Sequence, residues 1–244
     1  MGKLFQSEFL KLRKSSIWML IFVSPILSLL LGLSELSEIP DFKQHQWTAT
    51  LGMMTISHAI LFLPLLTGIF SSFVCRYEHV GGGWKQLLSL PVSRKNVYLV
   101  KILIVSLLIA ATQILFIMGL FLIGWIKGFP ADIPWGTIST SVIGGWIACL
   151  PLIALQMFVS VAWSSFAAPL AVNVIFTIPN MLIVNSERFA PYYPWAQPFE
   201  MMMSNSVESF GALNVSPITL FTVILGSFVL FLGTGFVYFL RKEV

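Results

Sequence analysis

Very few residues in this sequence have the type and the spacing to do chemistry. His58 is the one strongly polar ionisable side chain well inside an apolar segment, and a titratable group there is a functional hypothesis by default. A proton or metal role stays open for it, although a lone histidine lacks the carboxylate or cysteine partners of a metal site. No Ser/His/Asp set, no HExxH and no pair of embedded carboxylates is present. Gly81–Gly83 are not a phosphate loop, because the GxxxxGK[ST] pattern is missing and no strand precedes them. Asn214-Val215-Ser216 matches a glycosylation acceptor in form only, since such triplets are common by chance and Pro217 follows. Nor is there the string of coupled ionisable residues that a proton-driven carrier needs. We therefore expect no catalysis by this chain, no metal and no cofactor of its own.

What remains is a polar, glycine-rich and basic insert, Tyr77–Asn96, between two very apolar stretches. Its three glycines can take left-handed backbone angles and break a helix arriving from the preceding segment. Trp84, Leu87, Leu88 and Leu90 then follow at near-helical spacing, with Lys85, Gln86 and Ser89 between them, and Pro91 stops the run. Ser93 suits an N-cap, so the next helix is expected to begin near Arg94. A short amphipathic helix of this kind either lies on a membrane surface or fits a groove on a partner. The residues alone leave both readings open.

The elements that must hold this insert are set by composition. The chain has 244 residues, 57% of them hydrophobic and 10% charged, against about 25% charged in a soluble domain. No soluble core of this length hides that much apolar surface, so lipid is the solvent for most of it. Six segments approach the roughly 20 residues that cross a bilayer: 17–36, 49–74, 97–126, 138–163, 166–184 and 218–240. The fourth and fifth would make one helix of about 70 Å, so Ser164-Ser165 is read as a tight turn and Pro169 as a first-turn residue. The N-terminus, basic and then apolar without a small-x-small cleavage site, reads as a retained signal anchor.

Charge supports the count. With the N-terminus inside, Lys3, Lys11, Arg13, Lys14, Arg76, Lys85, Arg94, Lys95, Lys101, Arg241 and Lys242 are cytoplasmic, and Lys43, Lys127 and Arg188 are external. A five-span arrangement would put Arg241 and Lys242 outside. Lys101, within a turn of the cytoplasmic end, is expected to snorkel to the interface. Gln113, Gln156 and Asn173 are expected to make interhelical hydrogen bonds. Cys75 and Cys149 read as small buried hydrophobes. Trp18, Trp47, Trp125, Trp135, Trp163, Tyr192, Tyr193, Trp195 and Tyr238 fall near the expected interfaces. The fold class is all-α: one polytopic membrane domain over 1–244, with both termini cytoplasmic.

The run CRYEHVGGGWKQLLSLPVSRKNVYLVK (75–101) resembles the signature of ABC-2 type permeases, in which a glutamate and glycines, a short helix, a Pro-x-Ser/Thr-Arg segment and a lysine follow the second span. The start SEFLKLRKSSIWML (7–20) is similar to that family's amphipathic N-terminal helix, with Glu8-x-x-Lys11 leading into the first span. Length, the Trp-Lys-x-Leu-Leu wording and the Pro-Tyr-Tyr-Pro-Trp-Ala-Gln-Pro stretch (191–198) look like the lantibiotic-immunity and bacitracin-resistance branch of Gram-positive bacteria.

The resemblance implies six helices, pairing with a second permease subunit as a homo- or heterodimer, and docking of separate cytoplasmic ATPase subunits that carry ATP and Mg. It implies a cytoplasmic coupling helix between spans two and three, assigning the docking role to Glu78, Gly82, Gly83, Trp84, Leu87, Leu88, Pro91 and Arg94. It also implies an external re-entrant segment between spans five and six (185–217), including the amphipathic stretch 198–210. The expected function is then ATP-driven export of an antimicrobial peptide from the bacterial cell membrane. A non-transporting membrane anchor or sensor that docks a cytoplasmic partner is the alternative. Pairing with nucleic acid is not expected, because the basic residues sit at segment ends rather than on one face.

Overall fold

The computed structural model describes residues 1–13, 15–34, 45–204 and 216–242. Every regular element among the described residues is helical. Helix α1 (Gly2–Leu12) precedes α2 (Ile17–Gly32), and α3 (Gln46–Ser57) runs through one π turn (His58–Phe62) into α4 (Leu63–His79). The short α5 (Gly83–Ser89) is followed by α6 (Arg94–Lys127), α7 (Trp135–Ala148), α8 (Leu150–Ala162), α9 (Ala167–Thr177) and α10 (Asn180–Ile183). A 3-10 turn (Ala190–Tyr192), α11 (Gln197–Met203) and α12 (Pro217–Arg241) complete the elements of the described residues.

Among the described residues, four helical stretches are long and apolar enough to cross a membrane: Gln46–His79, Arg94–Lys127, Trp135–Ala162 and Ile218–Arg241. The expected first and fifth spans are helical too, as α2 and as the apolar stretch Ala167–Ile183, but both are shorter than 18 residues. The Ser164-Ser165 break falls where it was expected, between α8 and α9. The stretch 205–215 of the expected re-entrant segment lies outside the described residues. Within the described part, α11 is too short to span and buries Gln197, Phe199, Glu200 and Met202.

Prolines set the irregularities. Pro64 has no N–H to give the carbonyl four residues back, and its ring crowds that carbonyl. The helix answers with the π turn, in which Leu63 N–H bonds the His58 carbonyl. The carbonyl that Pro64 leaves without a donor, Ile60 O, accepts from Asn180 Nδ2 at 2.7 Å. Nearby, Asn173 Nδ2 donates to Pro64 O and Leu65 O at 3.0 and 3.1 Å, which pins α9 against α4. A Cβ on Gly68 would sit 2.2 Å from Asn173 Nδ2, so only glycine lets the amide reach the backbone. Asn173 Oδ1 accepts from Gln156 Nε2 and Trp195 Nε1. These are the interhelical bonds expected of Gln156 and Asn173, extended to the α11 region.

The apolar core between α2, α4, α6 and α8 includes Met54, Leu63, Phe70 and Phe116, none with measurable exposure. Cys75 and Cys149 are buried there as free thiols. Helix α12 meets α8 where Tyr238 stands edge-on to Phe158 at 5.3 Å, packs Leu220 and Ile224 with Ala148 of α7, and leaves Val229, Leu230 and Val237 outward. Two of the tryptophans expected near the interfaces are packed inside the protein. Trp47 is buried and donates to Pro130 O at 2.9 Å, and Trp195 is buried on Asn173. Their N–H groups have internal acceptors, as a buried indole requires.

Candidate functional site

Helix α1 is amphipathic in an unusual sense. Its buried positions are Glu8 and Leu12, while Phe9 and Leu10 face outward. Carboxylate inward and phenylalanine outward is favourable only where the surroundings are apolar and the interior offers a cation. That cation is Lys101, in the second turn of α6. Its Nζ lies 2.6 Å from Glu8 Oε2, 2.8 Å from Val74 O and 2.9 Å from Glu78 Oε2. The contact to Glu78 is an ion pair set off the hydrogen-bond line, and the hydrogen bonds go to Glu8 and Val74. Lys11 closes the ring, 2.5 Å from Glu8 Oε1 and 2.7 Å from Glu78 Oε1.

Lys101 is fully buried, Glu8 and Glu78 are 2% exposed, and only Lys11 reaches solvent. Two positive and two negative charges cancel, so no net charge is left in the apolar interior. The snorkelling expected of Lys101 is thus corrected: two carboxylates and a carbonyl satisfy its ammonium inside, and the side chain has no reason to reach for water. Burial pushes the Glu8 carboxyl up, but the ammonium groups of Lys101 and Lys11 outweigh it and hold the group below its ordinary value.

The cluster lies beneath α5. Gly82 takes a left-handed φ of 72°, which turns the chain into α5. At Gly83 a Cβ would lie 2.6 Å from Tyr77 O, a backbone atom with nowhere to go. This close approach plants α5 on the end of α4. Trp84 then points inward, 5% exposed, with Lys101 Nζ 5.7 Å from its ring and Phe239 of α12 at 5.2 Å. Its indole N–H donates to His79 Nδ1 at 3.3 Å, and His79 Nε2 donates to Ser160 O of α8 at 2.7 Å. Leu87 and Leu88 are half-buried against the same core. Pro91 is exposed, and Ser93 caps α6 by accepting from Asn96 N–H at 3.3 Å.

Arg94 turns away from α5 and donates to Leu240 O and Lys242 O, capping the end of α12. Of the residues the sequence points to, Glu78, Gly83, Trp84 and Arg94 therefore brace the insert against α1, α4, α6, α8 and α12. The face left outward carries Lys85, Gln86, Ser89 and Leu90. Sequence reasoning did not assign Glu8, Lys11 and Lys101 to the site. The signal was there in Lys101, a charge two turns into an apolar helix.

His58 lies elsewhere, deep between α2, α6 and α11. Its Nδ1 is 2.6 Å from Ser24 Oγ and its Nε2 is 3.2 Å from Gln113 Oε1. An amide oxygen only accepts, so Nε2 carries the hydrogen and Nδ1 accepts from the serine hydroxyl. Phe116 stacks on the ring at 4.2 Å. Both nitrogens are used by protein, and no group of three or more metal-ligating side chains exists among the described residues. The histidine ties helices together, and Gln113 passes the link to Met202 of α11 at 3.7 Å.

No curated protein matches the chain. Residues 4–180 match the family described as ABC-2 family transporter protein. The match takes in α1, α5 and all four charges of the buried cluster. It stops at the first residue of α10, leaving α11 and α12 beyond it. With most of its length matched, this chain belongs to the ABC-2 transporter family, as a multi-pass membrane component of transport.

Proposed function

We propose that this chain is the permease subunit of an ATP-driven exporter, with α5 as the element on which a cytoplasmic ABC ATPase acts. The observation that carries the reading is the mounting of α5. It is a short polar-faced helix in an otherwise apolar chain, anchored by Trp84 and seated on a charge cluster that joins α1, α4 and α6. A rigid mounting is what a lever needs, because force applied to Lys85, Gln86, Ser89 and Leu90 is passed to several helices at once. ATP and Mg belong to the partner. In this reading six helices cross the bacterial cell membrane, α2 and α9–α10 being the short ones. The termini and α5 are cytoplasmic, and the chain pairs with a second permease subunit.

The cargo we favour is a cationic antimicrobial peptide of the lantibiotic or bacitracin type, expelled for immunity or resistance. Support comes from the sequence resemblance and from Glu35, Glu38, Asp41, Asp132, Glu187 and Glu208 on the side read as external, against Lys43, Lys127 and Arg188. The test is affinity purification of the full chain in mild detergent. Recovery of an ABC ATPase that is lost on Lys85→Glu with Leu90→Asp, in a variant still monodisperse, supports the docking face. A chain that never retains an ATPase sinks the exporter reading. Unchanged survival of a sensitive strain expressing the complex, under lantibiotic or bacitracin, removes the cargo assignment alone.

A further inference from the structure

A second polar recess opens at the same basic end of the molecule, and the proposed function makes no use of it. It is a cavity of about 100 Å³ lined by Ser72, Arg76, His79, Ser160, Ser164 and Ser165, between the end of α4 and the α8–α9 turn. That is room for several waters, and so for one tetrahedral oxyanion.

Its charge is one-sided. Arg76 has no carboxylate partner among the described residues. Glu78, two residues on, projects to another side of α4 and is taken up by Lys11 and Lys101. Lys242 adds a second cation beside the recess, where its Nζ bonds Val161 O. His79 spends both ring nitrogens on Ser160 O and the Trp84 indole, so it lines the wall as a neutral group.

The arginine, itself exposed, has an aromatic neighbour. Its guanidinium carbon lies 5.5 Å from the centroid of the Phe166 ring, and Phe73 fixes that ring edge-on at 5.2 Å. A guanidinium braced by a ring still offers a fork of N–H groups to an oxyanion, which a lysine cannot imitate. The serine hydroxyls around it are donors of the kind that complete a phosphate cradle.

The surface leading away from the recess identifies the rest of the ligand. Trp163, next to Ser164 in the chain, is 47% exposed, and α9 beyond the recess turns Val174, Ile175 and Phe176 outward. Helix α9 rises about 16 Å, about half of a ~30 Å hydrocarbon core. A charged recess opening onto an apolar track of one leaflet's depth matches an amphiphile with an anionic head. We propose that the recess binds the phosphate-ester headgroup of an anionic lipid, whose acyl chains lie along α9. Occupancy bears directly on α5, because His79 forms the wall of the recess and also holds Trp84.

Native mass spectrometry of the full chain, released from detergent and titrated with phosphatidylglycerol or phosphatidylcholine, tests this. The wild-type chain is expected to retain one phosphatidylglycerol and to prefer it over phosphatidylcholine. Arg76→Gln should weaken the phosphatidylglycerol adduct about tenfold. Arg76→Lys should fall between, and Lys95→Gln, an exposed basic control, should bind as wild type. Equal binding by Arg76→Gln and wild type, or equal binding of the two lipids, overturns the site. Displacement of phosphatidylglycerol by equimolar inorganic phosphate overturns the lipid assignment in favour of a soluble anion. If Arg76→Gln fails to fold, Ser164→Glu sets a carboxylate at the exposed mouth. It should abolish the adduct, and an undiminished adduct there also overturns the proposal.

Discussion

Lys101 and Glu8, 93 residues apart, meet at 2.6 Å in the interior, one on a membrane-crossing helix and the other on the inward face of the N-terminal helix. Each is almost wholly shielded from solvent. Removing one partner strands the other charge, which typically costs 3–5 kcal/mol, so about that loss is expected for Lys101→Met. Glu8→Gln combined with Lys101→Met should cost less than the sum of the two single changes. A double-mutant cycle on thermal stability in detergent reads the coupling, and additivity would show that the pair is not a pair.

The pH dependence follows from the same contact. Glu8 titrates below its ordinary value of 4.5 in the folded chain, so the folded state binds its proton less readily than the unfolded state. The stabilisation is therefore complete near neutral pH and is lost as pH falls from about 5 through the folded value. Melting temperatures of the wild type should drop over that acid range. Glu8→Gln, less stable at pH 7, should show a shallower acid slope, and parallel curves would remove Glu8 from the cause.

Gly83→Ala tests the seating of α5. A methyl group would press on Tyr77 O and on Glu78 Cα, both backbone, so α5 must lift rather than a side chain swing aside. The expected result is a folded chain with Trp84 moved into a wetter site, seen as red-shifted and more readily quenched tryptophan emission. In the exporter reading, ATPase association weakens as well. Gly81→Ala meets no neighbouring atom and carries only its positive-φ strain, so its emission should stay close to wild type.

The two faces of α5 should separate stability from partner binding. Trp84→Ala empties a buried aromatic site and should cost about 3–5 kcal/mol. Leu90→Ala, at a residue 54% exposed, should leave the melting temperature within a degree or two while reducing ATPase recovery in pull-down. A large stability loss from Leu90→Ala would mean that the outward face is packed in the assembled protein for some other reason.

Glu200 offers a stabilising change. Its carboxyl is 2% exposed, Oε1 has no hydrogen-bond partner, and burial pushes it up to about 7. A carboxyl raised above its unfolded value lowers stability as pH rises from about 4.5 to about 7. Glu200→Gln should therefore raise the melting temperature at pH 8 and change it little at pH 4.5. The opposite ordering would place a cation on Glu200.

The sequence by itself determined the solvent and the element list. With 10% charged residues and six apolar runs, helices are the only open structure that satisfies its own backbone in lipid. Where the residues are described, the six runs fall in helical stretches, the fifth split into α9 and α10, and Ser93 starts α6 where its cap chemistry says it must. Hydropathy is local, so it is legible along the chain. The sequence also placed Glu78, Gly83, Trp84 and Arg94 in one insert and set Glu8, Lys11 and Lys101 in recognisable wording. What it did not contain is direction. Whether Lys101 snorkels or pairs, whether Trp84 faces a partner or Phe239, and whether Arg94 caps α12 or stands free depend on which helices arrive beside them. A buried charge is tolerable only when its counter-charge is already there, and that is a property of the packed structure. The tertiary structure alone brought residues 8, 11, 78 and 101 within ion-pair reach, and so decided that the insert is mounted from within.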